Sequence, residues 1–237
     1  MDVALRSPNR LLANLSPGDY ELVESHLRSL ELARAIVVAT AGEELKDAYF
    51  PHSGIISLVA QLAEGETIEV AMIGRDSIFG GSAALAGPIA LSTAVVQSPG
   101  MCSVLPIERL AEAADRSKTF RTTLVKHEQA IFVQARQAAA CIAAHPAIAR
   151  LARWLLRARD AAGSDELQLS QEFLGQMLGV KRNAVSLVAG SLQEKGLIRI
   201  GQGQIRIVDA AKLKAVACEC YETTREELDY LKRGTLH

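Results

Sequence analysis

Aromatic residues make up only 4% of this 237-residue chain. That is too few for the stacking platforms that hold single-stranded nucleic acid. Cysteine is equally sparse. Cys102, Cys141, Cys218 and Cys220 are too scattered for a disulfide framework, so reduced thiols in the cytoplasm are expected. Charge of either sign is missing between Asp76 and Glu108, a run that could be mistaken for a membrane span. Gly80, Gly81, Gly87 and Gly100 with Pro88, Pro99 and Pro106 break it into short strands and turns instead. The opening MDVALRSPNRLL has no apolar run followed by a cleavage site, so no signal peptide is expected. No P-loop is present. Gly201-Gln202-Gly203 fails as a dinucleotide motif because Arg206 takes the third glycine position and no helix follows. Gly80-Gly81-Ser82 lacks the spacing of a nucleophile elbow. Catalysis is not expected.

What is present is a core and a segregation of charge. Hydrophobic residues are 49% of the chain and charged ones 22%, enough to bury an interior. Residues 1–145 carry 12 basic and 16 acidic side chains, a net of −4. Residues 146–214 carry 11 and 6, a net of +5, and the tail from Ala215 carries 3 and 5, a net of −2. A basic middle segment in a near-neutral chain is the footprint of a nucleic-acid-binding module, with duplex DNA as the partner left standing.

Texture changes along the chain. Ser16-Pro17-Gly18-Asp19 reads as a capped helix start. Strand-like runs follow at 36–38, 55–62, 67–73, 94–96 and 101–105, and residues 49–54 read as a turn. Short strands at this spacing indicate a sandwich or barrel. From about Ile107 the pattern is helical, with a long helix over 117–144. Leu124, Ile131 and Ala138 recur every seven residues, with Glu128, Ala135 and Ile142 between them, an a/d seam suited to a dimer. The alternative is one helix packed on its own barrel. Pro146 ends that helix. Ala147–Ala161 is amphipathic, and Cys218–His237 reads as a last helix with Tyr221, Leu228 and Leu231 along one side.

Residues 171–190, QEFLGQMLGVKRNAVSLVAG, fit a helix-turn-helix. Leu174, Leu178, Val180, Val185 and Val188 occupy core positions, Gly175 the close approach and Gly179 the tight turn. The second helix would expose Lys181, Arg182, Asn183 and Ser186 to the major groove, with Ser170 and Gln171 opening the first helix. Residues 196–207 make a glycine-turned hairpin, a wing on which Arg199 and Arg206 can reach phosphates.

With these parts in this order, LSQEFLGQMLGVKRNAVSLVAGSLQEKGLIRI resembles the CRP/FNR family of bacterial transcription regulators. Tyr49-Phe50-Pro51 with Ser53-Gly54, and residues 76–80, add to the likeness. The resemblance, which covers roughly residues 10–215, implies an α+β chain: a sensor domain over 1–115 built as a cyclic-nucleotide-binding-like jelly roll, a dimerisation helix over 116–145 and a winged helix-turn-helix over 146–214, to which the residue pattern adds a helical extension over 215–237. It also implies a homodimer on an inverted-repeat operator, meeting RNA polymerase there. The expected dimer seam is Leu124, Ile131, Ala135, Ala138 and Ile142.

Departures from the family pattern shape the rest. Relatives that bind cyclic AMP have Phe-Gly-Glu, where this chain has Phe79-Gly80-Gly81, followed by Ser82. Their phosphate-binding arginine falls near Leu91, Ser92 and Thr93 here. An effector pocket on these residues is therefore degenerate, and no tight cyclic-nucleotide binding is expected. A cyclic-nucleotide response through a non-standard pocket is the alternative. Arg182-Asn183 replaces the common Arg-Glu and Leu187 a second arginine, which implies a different operator. No cofactor is expected. Metal is not expected either, because Cys218 and Cys220 on a helix point to opposite faces, and His26, His52, His127 and His145 show no ligand spacing.

Overall fold

The computed structural model describes residues 7–63, 66–169, 171–178 and 182–233. Two short helices, α1 (Arg10–Ala13) and α2 (Pro17–Glu24), lead in. The Asn9 side chain caps α1, accepting from the Leu11 and Leu12 amides, and Ser16 caps α2 through the Asp19 amide. The sequence signals at Ser16 and Pro17 thus act as read, whereas the Asn9 cap was not anticipated.

Next come β1 (Arg28–Leu32), β2 (Val37–Ala39), β3 (Asp47–Pro51), β4 (Ile55–Gln61), β5 (Thr67–Ile73), α3 (Gly81–Ala86), β6 (Thr93–Ser98) and β7 (Gly100–Pro106). They form two antiparallel sheets, ordered β1-β7-β3 and β2-β6-β4-β5. Phe50, Ile56, Leu58, Ile73, Ala94, Val96 and Leu105 fill the space between them. One reading needs correction, and one strand was not anticipated. Residues 49–51 are strand, because β3 pairs with β7 and Tyr49 exchanges backbone bonds with Phe79. Only 52–54 turn, around Gly54 at φ +76°. The strand β1 lacked a signal because four of its five residues are exposed.

After the sheets, α4 (Ile107–Arg116) leads to the 27-residue α5 (Lys118–Ala144). The Ser117 and Thr119 hydroxyls donate to the two Asp19 carboxylate oxygens at 2.5 and 2.7 Å, fastening the start of α5 to α2. Pro146 stands between α5 and α6 (Ala147–Ala162). Beyond Gly163 (φ +71°) come β8 (Glu166–Leu167), α7 (Gln171–Leu178), α8 (Arg182–Glu194), β9 (Ile198–Gly201), β10 (Gln204–Ile207), α9 (Ala210–Val216) and α10 (Cys220–Arg233). A third sheet, β8-β10-β9, forms the wing. This second core, of Leu151, Leu155, Leu174, Leu178, Val185, Leu192, Ile198 and Ile205, continues into Ile55, Val59 and Met72 of the β domain. The two halves of the chain therefore share one apolar contact. No helix among the described residues is long and apolar enough to cross a membrane.

Candidate functional site

The helix-turn-helix is built on burial. Leu174, Leu178 and Val185 are fully enclosed, and Gly175 is buried where α7 packs against its neighbours, while Val188 is half-buried. Arg150, buried on α6, donates from Nη1 to the Leu178 carbonyl at 2.9 Å. That bond satisfies a carbonyl left open at the end of α7 and ties this helix to α6. Ser170, Gly179, Val180 and Lys181 lie outside the described residues. Gln171 opens α7, and Arg182 and Asn183 open α8; one turn on, Ser186 and Leu187 are exposed.

On the wing, Arg199 and Arg206 are directly opposite across the antiparallel pair, and both are exposed. Like charges at facing positions oppose pairing, and Glu166, 3.8 Å from Arg206, offsets that only in part. An anion over this face would relieve the repulsion. The hairpin turns at Gly203 (φ +70°), whose carbonyl accepts from Arg34 Nη2 of the β domain at 3.2 Å.

The space around residues 79–82, where a degenerate pocket is expected, is partly filled by the chain itself. Gly80 adopts φ +108° at the start of α3. A Cβ added at the buried Gly81 would lie 2.5 Å from Glu128 Oε1 on α5, so a carboxylate of this chain already occupies the space beside that position. Phe79 is buried, with its ring 6.2 Å from that of Tyr49. Ser82 is half-buried. The neighbouring His127 accepts the Ile78 amide at Nε2, 3.2 Å, which places its proton on Nδ1, toward Glu128. Leu91 is 74% exposed. Thr93 spends its hydroxyl oxygen on the Ala41 amide, and Ser92 is half-buried beside it. A cavity of about 440 Å³ adjoins this region, lined among others by Arg10, Asp76, Ser77, Lys126, His127 and Arg157.

Along α5 the expected seam divides. Leu124 is fully buried and packs into the β domain of its own chain, with Ile131 against the same core. Ala138 is also buried, Ala135 is half-buried and Ile142 is 40% exposed. The apolar side chains left uncovered are instead Val125 and, at 67% exposure, Phe132. With Ala139 they recur every seven residues, one position round from the expected set, and Ala135 and Ile142 follow three residues after Phe132 and Ala139. Within the protomer Leu124, Ile131 and Ala138 thus face their own chain, as the alternative for this helix had it.

A buried polar cluster joins the two halves. Glu69 on β5 accepts from Trp154 Nε1 of α6 at 2.7 Å and from the Ser57 hydroxyl at 2.5 Å. Burial lifts the Glu69 carboxyl to about 7, against the opposing pull of these two bonds and of Arg153 and Arg157.

Two family models match the chain: a cyclic nucleotide-binding domain over residues 30–117 and a Crp-like helix-turn-helix domain over 149–216. Solved structures agree in fold. FixK2 from Bradyrhizobium japonicum is 17% identical with a TM-score of 0.69, over 81% of this chain and 98% of that one. A CRP-family transcriptional regulator from Thermus thermophilus is 24% identical with a TM-score of 0.64, over 79% and 96%. The c-di-GMP-responsive global regulator CLP from Xanthomonas campestris is 15% identical with a TM-score of 0.64, over 81% and 99%. No curated protein is significantly similar in sequence. The chain belongs to the CRP/FNR family of transcription regulators.

One feature of this CRP/FNR protein escaped the sequence reading. Cys218 does not lie on a helix: it sits in the turn between α9 and α10, and Cys220 is the first residue of α10. The helical geometry that separated the two side chains therefore does not apply. Both meet Cys141, in the last turn of α5, and His145, at its C-cap. Cys141 Sγ is 3.5 Å from Cys218 Sγ, and Cys220 Sγ is 3.5 Å from His145 Nδ1. The hydrogen bond from Cys218 pulls the Cys141 thiol down to about 5, with Arg153 adding to the effect, while burial pushes the other way.

Proposed function

We propose that the protein is a homodimeric, sequence-specific regulator of transcription that acts in the cytoplasm on an inverted-repeat operator in duplex DNA. Each protomer places the N-terminal end of α8 in a major groove, with Arg182 and Asn183 reading bases and Lys181 and Ser186 assisting. Ser170 and Gln171 meet the backbone beside it. The observation that carries this reading is the pair of exposed arginines, Arg199 and Arg206, held face to face on the wing, a placement suited to phosphate. On the operator the dimer would meet RNA polymerase. The apolar seam of α5, with Val125, Phe132, Ala139 and Ile142 exposed and Ala135 half-buried, supports dimerisation. Residues 1–115 then act as a sensor, 116–145 as the dimer helix, 146–214 as the DNA-binding unit and 215–237 as an appended helix.

The test is retention of genomic fragments by the purified protein at two salt concentrations, followed by sequencing. An inverted repeat recovered at both salts is the expected result. Sequence-blind retention that vanishes at higher salt would argue for phosphate contacts alone. On the recovered site, Arg182→Ala is expected to cost about 1–3 kcal/mol while leaving non-specific affinity nearly unchanged. Equal losses on both kinds of DNA would assign Arg182 to the backbone instead.

The sensor is proposed to work without tight cyclic-nucleotide binding. The absence of a cationic side chain from residues 77–107 and the approach of Glu128 to Gly81 support this. Calorimetric titration with cyclic AMP, cyclic GMP and cyclic di-GMP is expected to give no heat of binding, and micromolar affinity for any of them would overturn the reading.

A further inference from the structure

Cys141, His145, Cys218 and Cys220 each offer one ligand atom, and these four atoms all lie within 4.8 Å of one another. Zinc bound by thiolates at about 2.3 Å and imidazole at about 2.0–2.1 Å requires ligand atoms roughly 3.5–3.8 Å apart at the corners of a tetrahedron. Two edges of the set, the sulfur pair Cys141–Cys218 and the pair Cys220–His145, are already 3.5 Å. We propose that these four residues form a closed zinc site, three thiolates and one imidazole around a single Zn²⁺.

The surroundings are those of a ligand set rather than of four stray side chains. His145 presents Nδ1 to the sulfurs while its Nε2 meets Glu219 Oε1 at 3.1 Å. A carboxylate holding the far nitrogen is the usual support of a metal-bound histidine, because it fixes the tautomer and the ring. Gln137 Nε2 donates to Cys220 Sγ at 3.0 Å, an outer bond to a sulfur that would carry negative charge. All three cysteines are buried and His145 is half-buried, so water has little access. With four protein donors there is no open coordination position, which marks a structural site rather than a catalytic one. A disulfide between Cys141 and Cys218 would use two of the four groups and leave Cys220 and His145 converging on nothing.

Position gives the site its consequence. Cys141 and His145 close α5 just before Pro146, whereas Cys218 and Cys220 follow the winged helix. The metal would tie residue 141 to residue 218, 77 positions on, and so close the DNA-binding unit into a loop. That unit would then be anchored to the dimer helix at both its ends. Its orientation relative to the two-fold axis would depend on the metal.

The test uses the full-length protein, purified with reductant, freed of metal by a chelator and titrated with Co²⁺ and then Zn²⁺. The expected result is one ion per protomer, with the visible bands of tetrahedral Co²⁺ and a thiolate-to-cobalt charge-transfer band, both erased by Zn²⁺. Cys141→Ser and Cys220→Ser should lose the tetrahedral spectrum, and Cys102→Ser, buried in the β domain, should retain it. Glu219→Gln leaves every ligand in place and is expected to weaken Zn²⁺ binding by about 10–100-fold. Folding of each variant is checked by circular dichroism, so that loss of metal is read only from folded protein. The proposal fails if the folded, reduced wild-type protein binds no Co²⁺ in tetrahedral form. It fails equally if the ion is bound but the spectrum survives in both serine variants.

Discussion

Phe132→Asp is expected to turn the proposed dimer into monomers and to remove most of its proposed affinity for an inverted repeat. Phe132 stands 67% exposed in the middle of α5, between Val125 and Ala139 at seven-residue spacing. In a two-fold interface each substitution counts twice. Burying a phenylalanine is worth about 1.5–3 kcal/mol, so losing two weakens the dimer by roughly 10²–10⁴-fold. Two aspartates facing each other near the axis would add repulsion. A monomer reaches only one half-site and forfeits the effective-concentration gain of bivalent binding, about 10²–10⁴ in affinity. Phe132→Leu keeps the apolar contact and should remain dimeric. Sedimentation velocity at several concentrations reads the assembly, and fluorescence anisotropy on the operator reads the binding. A variant that stays dimeric would place the interface elsewhere. Leu124→Asp, in contrast, should destabilise the protomer itself, because Leu124 is buried in its own β domain.

That contrast shows why α5 was only half legible in the sequence. The helix carries apolar residues on two adjoining faces, one against its own protomer and one open. A heptad count detects both and cannot say which is which, since the choice depends on where the β domain docks. The helix-turn-helix was legible because its requirements are local: enclosed residues at Leu174, Leu178 and Val185, and small ones where backbones approach. The wing was legible for a similar reason, a Gly-x-Gly turn between two short alternating runs. Contacts between distant segments left no local trace. Glu69 and Trp154 are 85 positions apart, and nothing in either neighbourhood points to the other. The cysteine cluster was missed for a sharper reason. Extending the last helix back by two residues set Cys218 and Cys220 on opposing faces, whereas the turn before α10 brings them together. An error of two residues at a helix end decided whether a ligand set could be seen.

The link between the two halves of the molecule carries the second large effect. Trp154 is 2% exposed and packs α6 against β5, with its indole N–H on Glu69. Trp154→Ala is expected to cost about 3–5 kcal/mol through the cavity it leaves. The loss also strips a hydrogen bond from a buried carboxyl, whose desolvation is then offset less well. Burial is the main reason that Glu69 titrates near 7 in the folded protein, above its ordinary value of 4.5. The folded chain therefore holds a proton that the unfolded chain releases across this interval. Its contribution to stability is complete below about pH 4.5 and is lost as pH rises through 7. The whole interval corresponds to roughly 3 kcal/mol. Glu69→Gln keeps a hydrogen-bonding group of the same size and removes the titration. The difference in unfolding free energy between wild-type and Glu69→Gln, measured in urea from pH 5 to 8, should move against the wild-type protein up to about pH 7 and level off above it. A difference that stays flat would mean that Glu69 is ionised in the fold, held by Arg153 and Arg157. With Glu69 in place, removing Trp154 should carry the loss of stability on to higher pH, because the indole bond is one of the groups that hold the carboxylate form in place.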